Sequence, residues 1–209
     1  MNRILIGCFS GWQFPQRRLR CQKTWLADLH CGRYDLPDPA PPMPVLDGVL
    51  LLGTLQAVRP ERYGDYLFLP VPNPYQFLIQ RTRAFCQWAL EQQWWDYLLK
   101  TDDDTRLHLG RLLHYDTKGA DYIGAEWMPG VGYASGNGYL LSRKAATVVA
   151  ETMTQWEGSE DVGVGKVMRK AEIPLRIDNE HFRVLMGDDD RPDETNDWVY
   201  ASPKNREPE

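Results

Sequence analysis

The sequence lacks most of the features that mark a secreted or membrane-inserted chain. It contains no Asn-x-Ser/Thr sequon, and its first apolar run covers only residues 4–9, too few for an export signal or a membrane span. Its cysteines are few and have neither metal-ligand nor disulfide-scaffold spacing: Cys8, Cys21, Cys31 and Cys86. We therefore expect a cytoplasmic protein with free thiols, no membrane span and at most peripheral association with a membrane.

Positive charge is also scarce. Lysine and arginine number 24 against 29 aspartates and glutamates, which gives a net charge of -5. A surface that binds nucleic acid neutralises phosphates with clustered basic side chains, so this balance argues against a nucleic-acid partner. The partner we expect instead is a small molecule or a glycan.

What the sequence does contain is an alternation of apolar strands and amphipathic helices. Strands are predicted at residues 4–9, 45–52, 66–69, 95–99, 122–125, 139–141 and 173–177, and helices at residues 16–29, 75–90, 142–156 and from 159 onwards. A Pro-rich connector covers residues 36–44. This order predicts an α/β fold with a mostly parallel central sheet, whose ligands bind beyond the carboxyl ends of the strands.

Three consecutive acidic residues, Asp102, Asp103 and Asp104, follow the strand predicted at residues 95–99. In extended chain, residues i and i+2 face the same side, so Asp102 and Asp104 should converge as a DxD pair while Asp103 points away. Two such carboxylates suit Mg²⁺ or Mn²⁺, with diphosphate oxygens and water completing the coordination. The alternative is a solvated acidic turn.

A second acidic pair, Glu160 and Asp161, opens the last predicted helix. Acidic residues in a first turn complement the helix dipole, and this structural explanation is as good as a functional one. In the functional interpretation, Asp161 is a general base that takes the proton of an attacking hydroxyl group.

Residues 133–139 combine small residues with the flanking tyrosines Tyr133 and Tyr139. Glycine at position 136 permits close approach of the backbone to a ligand, and the tyrosines offer faces for sugar rings. A simple hairpin with its turn at Asn137-Gly138 explains the same residues equally well.

The order of these motifs resembles glycosyltransferase family 31, which contains β-1,3-galactosyltransferases, N-acetylglucosaminyltransferases and the Fringe enzymes. Residues 17–25 are similar to the family's RRxAIRxTW segment, 49–53 to FFLLG, 63–67 to YGDIL and 75–82 to YxNLTLKT. Residues 100–104 resemble KxDDD, 133–142 resemble YCSGGGYVLS, and 160–165 resemble EDVxVG. The matches are colinear from about residue 17 to residue 173.

The resemblance implies a GT-A fold with one Rossmann-like catalytic domain, which we assign to residues 1–187. Residues 188–209 are polar and contain proline, so a loosely ordered tail is expected there. It implies an inverting, metal-dependent transfer of a hexose or N-acetylhexosamine from a UDP-sugar to a hydroxyl group, of the β-1,3 type. Mn²⁺ or Mg²⁺ would be the cofactor, and the acceptor would be a glycan or a lipid-linked saccharide.

The same resemblance implies roles for individual residues. Asp161 would be the catalytic base, and the metal would be bound by Asp102 and Asp104, with His181 as a further candidate ligand. The donor would be bound by Ser10, Arg17, Arg18, Arg81, Lys100, Asp102, Asp103, Ser135 and Gly136. The acceptor would be bound by Trp127, Tyr133 and Glu160.

Two other interpretations stay open. One is a non-catalytic domain of the same fold that binds a nucleotide sugar or a glycan, and the other is a retaining transferase that shares the metal site. The intact acidic triplet and the pair Glu160-Asp161 favour the enzyme over the binding domain.

Overall fold

A central sheet of eight strands carries helices on both of its faces. The computed structural model describes residues 2–32, 45–126, 128–153, 158–185 and 200–203. The strands are β1 (Ile4–Phe9), β2 (Leu46–Gly53), β3 (Glu61–Tyr63), β4 (Tyr66–Leu69), β5 (Tyr97–Asp102), β6 (Arg106–Leu107), β7 (Tyr122–Glu126), β8 (Ala134–Ser142), β9 (Leu175–Ile177), β10 (Phe182–Leu185) and β11 (Tyr200–Pro203). The helices are α1 (Pro15–Lys23), α2 (Trp25–Cys31), α3 (Leu78–Glu91), α4 (Leu109–His114), α5 (Arg143–Thr152) and α6 (Glu160–Lys170). Within these described ranges, no helix is both long enough and apolar enough to cross a bilayer.

Two strands of the central sheet run against the other six. The order is β3-β4-β2-β1-β5-β8-β7-β9. Strand β3 is antiparallel to β4, and β8 is antiparallel to both of its neighbours, β5 and β7. The other pairs of this sheet are parallel. The mostly parallel sheet predicted from the sequence is therefore confirmed, with β8 as an antiparallel insertion.

The insertion brings the first half of β8 to the edge where the parallel strands end. Phe9 at the end of β1 lies opposite Asp102 at the end of β5, and Thr101 lies opposite Gly138 of β8. Ligand-binding loops of α/β sheets lie at this edge. The residues that precede Gly138 therefore lie beside the acidic triplet.

Side chains of the buried strands divide between two hydrophobic layers. In β1, Ile4, Ile6 and Cys8 pack with α1, α2 and α4 on one face, whereas Leu5 and Phe9 pack with α3, α5 and α6 on the other. A strand that is covered on both faces has no side toward water, so its sequence is apolar throughout. This explains the uninterrupted apolar run at residues 4–9.

The single helix predicted over residues 16–29 is wrong, because the chain forms two helices there. Thr24 separates α1 from α2 with φ -114° and ψ -111°, and its hydroxyl donates to the Arg20 carbonyl oxygen at 2.8 Å. A threonine hydroxyl that binds the i−4 carbonyl competes with the helical backbone and favours a bend. The break turns Trp25 toward β2, where its ring would lie 2.6 Å from a Cβ atom added at Gly48.

The hairpin turn considered at Asn137-Gly138 is also wrong, since both residues lie inside β8. The chain reverses between β7 and β8 upstream of these residues, where Gly130 and Gly132 have φ values of 82° and 72°. Their N–H groups donate to the Glu126 carboxylate at 3.0 and 2.8 Å. Glycine adopts this left-handed backbone without strain, so the turn forms there.

Part of the segment expected to be a loosely ordered tail forms a strand. Strand β11 pairs in parallel with β10 and antiparallel with β6 in a separate three-stranded sheet. The chain at residues 200–203 thus differs from the expectation for residues 188–209. The rest of that tail and the Pro-rich connector at residues 36–44 lie outside the described residues.

Gly7→Ala should destabilise this fold. Gly7 lies in β1, and a Cβ atom added there would lie 2.1 Å from Cε1 of the fully buried Phe85 ring. Overpacking a filled core costs about 1–3 kcal/mol, so the free energy of unfolding measured in urea should fall by about that amount.

Gly110→Ala is the matched control for Gly7→Ala. Gly110 lies in α4. Apart from the backbone of the helix itself, the nearest atom to a Cβ added there is His108 Nδ1, 4.0 Å away. Alanine is also the better helix former by about 1 kcal/mol. If Gly7→Ala were as stable as the wild type, the Phe85 ring would have to move aside without loss of packing, contrary to the structure.

Candidate active site

The acidic triplet stands at the carboxyl end of β5, beside the end of β1. Asp102 is the last residue of the strand, and Asp103 and Asp104 form the turn that follows. The side chains of Asp102 and Asp104 are 30% and 33% exposed, whereas that of Asp103 is 5% exposed. The middle carboxylate therefore enters the protein, and the outer two reach toward solvent.

Asp103 is held by the loop after β1 and by α1. Ser10 Oγ donates to Asp103 Oδ2 at 2.6 Å, and Arg17 Nη1 lies 3.5 Å from Asp103 Oδ1 and 3.4 Å from Asp104 Oδ2. Burial raises the pKa of Asp103 to about 6, although Ser10 and Arg17 oppose the rise. Burial also raises the pKa of Asp104, and the charge of Asp102 adds to that effect. The pKa of each of these two carboxyls thus stays raised even though both lie close to Arg17.

Lys100 is a buried ammonium group that joins three parts of the site. Its Nζ lies 2.8 Å from Asp102 Oδ1, donates to the Gly136 carbonyl oxygen, and lies 3.7 Å from Glu160 Oε2. Burial lowers the pKa of Lys100, but Asp102 and Glu160 raise it by more, so the pKa is higher than in water. One ammonium group thus links β5, the start of β8 and the first turn of α6.

The backbone of Gly136 connects Lys100 to the predicted base. Its carbonyl oxygen accepts from Lys100, and its N–H donates to Asp161 Oδ2 at 3.1 Å. A Cβ atom added at Gly136 would lie 3.3 Å from that carboxylate oxygen, so a side chain there would push against Asp161. Asp161 Oδ1 accepts from the Val162 N–H at 2.8 Å, and both carboxylate oxygens are therefore oriented.

Glu160 begins α6 and is only 3% exposed. Its Oε1 accepts from Thr82 Oγ1 at 2.9 Å and from the Tyr139 hydroxyl. Burial raises the pKa of Glu160, and the charge of Lys100 and the two hydroxyl donors oppose the rise. Helix-dipole stabilisation alone requires only a solvated carboxylate in the first turn, whereas Glu160 belongs to a buried polar network.

A cavity of about 190 Å³ lies between the end of β5 and the start of α6. Its apolar side is formed by Tyr75 and Leu78, and its polar side by Lys100, Asp102, Ser135, Gly136, Asn137, Glu160 and Asp161. The cavity thus brings together the predicted base, one carboxylate of the DxD pair and three of the residues predicted to bind the donor.

Two arginines predicted to bind the donor contact the loop after β1. Arg81 is 4% exposed and its Nη1 donates to the Ser10 carbonyl oxygen at 2.8 Å. Arg18 donates to the carbonyl oxygens of Gly11 and Trp12. Buried loop carbonyls need hydrogen-bond donors, and these guanidinium groups supply them. Their observed contacts therefore fix the loop that carries Ser10.

Three further predicted residues lie apart from the cavity or outside the described chain. His181 Nδ1 is 2.9 Å from Asp178 Oδ1, just after β9, and Tyr133 packs against Gly165 of α6. Trp127 lies outside the described residues.

In the part of the chain that the structure describes, no three His, Cys, Asp or Glu side chains are grouped so that they could hold a metal ion. The predicted set of Asp102, Asp104 and His181 is therefore not assembled here. The His181 ring lies beside Asp178, whose carboxylate binds its Nδ1.

Asp102 and Asp104 alone nevertheless fit a divalent ion that is shared with a ligand. Mg²⁺ is bound in proteins by one or two carboxylates, and phosphate oxygens and water complete its shell. Both side chains are partly exposed, and besides burial the charge of Asp102 raises the pKa of Asp104. A bound cation would relieve this repulsion.

Sequence reasoning missed the groups that support the site from below. Thr82 and Tyr139 bind Glu160, and Tyr75 and Leu78 line the cavity. All four have the spacing of core positions in a helix or strand, which hides any other role. For Thr82 and Tyr139 the available signal was a hydroxyl group on an otherwise apolar face, because a buried hydroxyl needs a partner. Tyr139 is fully buried, so the expectation that it offers a face to a sugar ring is wrong.

The chain is similar to known glycosyltransferases in sequence and in fold. No family model matches the chain. A curated relative, the hydroxyproline O-galactosyltransferase GALT2 of Arabidopsis thaliana, is 22% identical over 191 residues. The match covers 78% of this chain and 28% of the relative, so the chain spans little more than a quarter of that protein's length.

Among solved structures, a glycosyltransferase involved in the glycosylation of the major capsid of PBCV-1 aligns with a TM-score of 0.54 at 10% identity, covering 97% of this chain and 95% of that chain. The chain has a GT-A glycosyltransferase fold. The predicted fold is thereby confirmed, and the Arabidopsis relative confirms the resemblance to glycosyltransferase family 31. Drosophila β1,4-galactosyltransferase 7 in complex with manganese, UDP-Gal and xylobiose is less similar, with a TM-score of 0.45 at 14% identity over 83% of this chain and 63% of that chain.

Lys100→Met should destabilise the protein strongly. The substitution removes the ammonium group that faces the buried Glu160 carboxylate and leaves the Gly136 carbonyl oxygen without this donor. Removing one partner of a buried ion pair costs about 3–5 kcal/mol, a large share of a domain's stability. The control is Lys144→Met, since the Lys144 side chain is 68% exposed and pairs with Asp121. Its unfolding free energy in urea should change by less than about 1 kcal/mol.

The double variant Lys100→Met/Glu160→Gln separates charge from packing. It no longer buries an unpaired carboxylate, so it should recover part of the stability that Lys100→Met loses. A double variant no more stable than the single one would mean that the ion pair does not hold this site together.

Proposed function

We propose that the chain is an inverting, metal-dependent glycosyltransferase. It would move a hexose or N-acetylhexosamine from a UDP-sugar to a hydroxyl group of a glycan or lipid-linked saccharide, with β-1,3 as the favoured linkage. The observation that carries the proposal is that Asp102 and Asp161 line one cavity and are joined through Lys100 and Gly136. The GT-A fold and the Arabidopsis galactosyltransferase relative support it.

The proposed reaction uses Asp161 as the base. The acceptor hydroxyl attacks the anomeric carbon from the side of Asp161, and its proton passes to a carboxylate oxygen. The bond between that carbon and the diphosphate breaks, and its electron pair leaves with UDP. Attack on the face opposite the leaving group inverts the configuration. The hydrogen bond from the Gly136 N–H keeps the carboxylate oriented for this transfer.

Asp102 and Asp104 would hold Mn²⁺ or Mg²⁺ at the cavity edge. His181 stays a candidate ligand because Asp178 binds its Nδ1, an arrangement that typically leaves Nε2 for a metal. When bound, the ion supplies positive charge that stabilises the departing diphosphate. Arg17, which pairs with Asp103 and Asp104, would place a further cation near the phosphates.

The remaining parts of the proposal concern the acceptor and the chain as a whole. Tyr133 and Trp127 are proposed to contact the acceptor, and residues 1–187 to form the catalytic domain. We propose that the protein is located in the cytoplasm and that it transfers the sugar to its acceptor there.

Asp161→Asn should abolish transfer while leaving nucleotide binding intact. The amide keeps the size of the side chain but cannot take a proton, so the rate should fall by about 10²–10⁴-fold. The measurement is UDP release from UDP-galactose, UDP-glucose and UDP-N-acetylglucosamine with simple glycoside acceptors, with Mn²⁺ and with a chelator. Binding of UDP is followed by calorimetry.

Asp121→Asn serves as the control for Asp161→Asn, because Asp121 pairs with the exposed Lys144 and should not affect transfer. A wild-type chain that binds UDP-sugars yet transfers none would favour the binding-domain interpretation. Transfer with retained anomeric configuration, observed by NMR, would overturn the inverting mechanism. A wild-type chain that binds no nucleotide in either condition would overturn the proposal entirely.

A further inference from the structure

One carboxylate oxygen in the cavity is buried and unpartnered. Glu160 is 3% exposed, and within the described residues its Oε2 has no hydrogen-bond partner. The nearest cation, Lys100 Nζ, lies 3.7 Å away, beyond hydrogen-bond distance. The charge of Lys100 compensates only part of the hydration that a buried carboxylate oxygen loses, so a hydrogen-bond donor to Oε2 is expected. Because Glu160 lines the cavity, a bound ligand can be that partner.

The other oxygen of the same carboxylate is fully engaged. Thr82 Oγ1 and the Tyr139 hydroxyl both donate to Oε1, and both residues are almost completely buried. These two bonds set the orientation of the carboxyl plane before any ligand arrives. Lys100 meanwhile donates to Asp102 and to the Gly136 carbonyl oxygen. The protein groups around Oε2 thus balance its charge but do not hydrogen-bond to it.

The charge of the cavity limits what the ligand can be. Among the lining residues that the structure describes, three carboxylates, Asp102, Glu160 and Asp161, face one ammonium group, Lys100. A second anionic group in this space would be repelled, and a carboxylate has no hydrogen to donate. A neutral hydroxyl group can donate to Oε2 without adding charge.

The position of Glu160 favours the transferred sugar over the acceptor. The ring that is transferred must lie between the diphosphate, near Asp102, and the base, Asp161. Glu160 faces Lys100, which binds Asp102, and it precedes Asp161 in the first turn of α6. Glu160 therefore lines the part of the cavity that this ring would fill.

We propose that Glu160 Oε2 accepts a hydrogen bond from a hydroxyl group of the transferred sugar. Glu160 is then a specificity-determining residue on the donor side, in place of the acceptor contact predicted from the sequence. The cavity selects neutral sugars that carry this hydroxyl, and it rejects uronic acids. The inference rests on the proposed function.

The test measures affinity for the sugar separately from affinity for the nucleotide. The wild type and Glu160→Gln are titrated by calorimetry, in Mn²⁺, with UDP, UDP-galactose and the 2-, 3-, 4- and 6-deoxy analogues of UDP-galactose. Hydrogen bonds to charged groups contribute enough for about a 10–100-fold change in affinity. UDP-galactose should bind the wild type more tightly than UDP does. Glu160→Gln should bind UDP-galactose about 10–100-fold more weakly than the wild type does, and its affinity for UDP should be unchanged.

The analogues identify the hydroxyl and do not depend on the variant folding. One deoxy analogue should bind the wild type about 10–100-fold more weakly than UDP-galactose, and Glu160→Gln should hardly distinguish the two. UDP-glucuronic acid should bind the wild type no more tightly than UDP. The control is Asp121→Asn, because Asp121 pairs with the exposed Lys144 and not with the site, so its ratio of UDP to UDP-galactose affinity should match the wild type.

Three results would count against the inference. If UDP binds but UDP-galactose gains nothing over it, or if no deoxy analogue loses affinity, Glu160 does not contact a sugar hydroxyl. If Asp121→Asn loses the sugar gain as Glu160→Gln does, the effect is not specific to Glu160. If UDP itself does not bind, the proposed function is overturned, and so is this inference, which rests on it.

Discussion

The site depends on one ammonium group held in the protein interior. Lys100 lies in β5, and its Nζ contacts Asp102 of the same strand, the backbone of Gly136 in β8 and the Glu160 carboxylate in α6. A buried ion pair adds little net stability over an apolar core of the same volume, because its desolvation offsets the attraction. What the ammonium group adds is position, since three elements distant in sequence meet at one atom. The residues proposed to bind the donor and to act as the base are thereby fixed relative to each other.

The antiparallel strand β8 makes this meeting possible. A parallel strand at that place in the sheet would begin at the opposite edge, far from the end of β5. Because β8 runs the other way, its first residues lie beside the acidic triplet, and the backbone of Gly136 lies between Lys100 and Asp161. The glycine leaves room at this point, because a Cβ atom there would lie 3.3 Å from the Asp161 carboxylate and would press on it.

The fold was predictable where local pattern determines structure, and less so where distant partners decide. The apolar run of β1 and the cap of α5, whose Ser142 Oγ accepts from the Ala145 N–H, follow from local chemistry. The break at Thr24 and the strand β11 depend on a hydroxyl contact and on pairing with remote strands, which periodicity does not encode. In the site, the acidic residues were recognisable from the sequence by their type and order. Charged residues are rare at the core-facing ends of strands and helices, so these residues stand out. The hydroxyl groups beneath Glu160 were not, because Thr82 and Tyr139 have the spacing of ordinary core residues.

The backbone of Gly136 has a consequence for how a molecule reaches the cavity. Its carbonyl oxygen accepts a hydrogen bond from Lys100 of β5 on one side of the cavity, and its N–H donates to Asp161 of α6 on the other side. The walls cannot part without breaking one of these bonds, so opening by hinge motion is unfavourable. Tyr75, which also lines the cavity, is 72% exposed. Exposed side chains change rotamer within picoseconds to nanoseconds, so this part of the lining can move while the bonds of Gly136 stay in place.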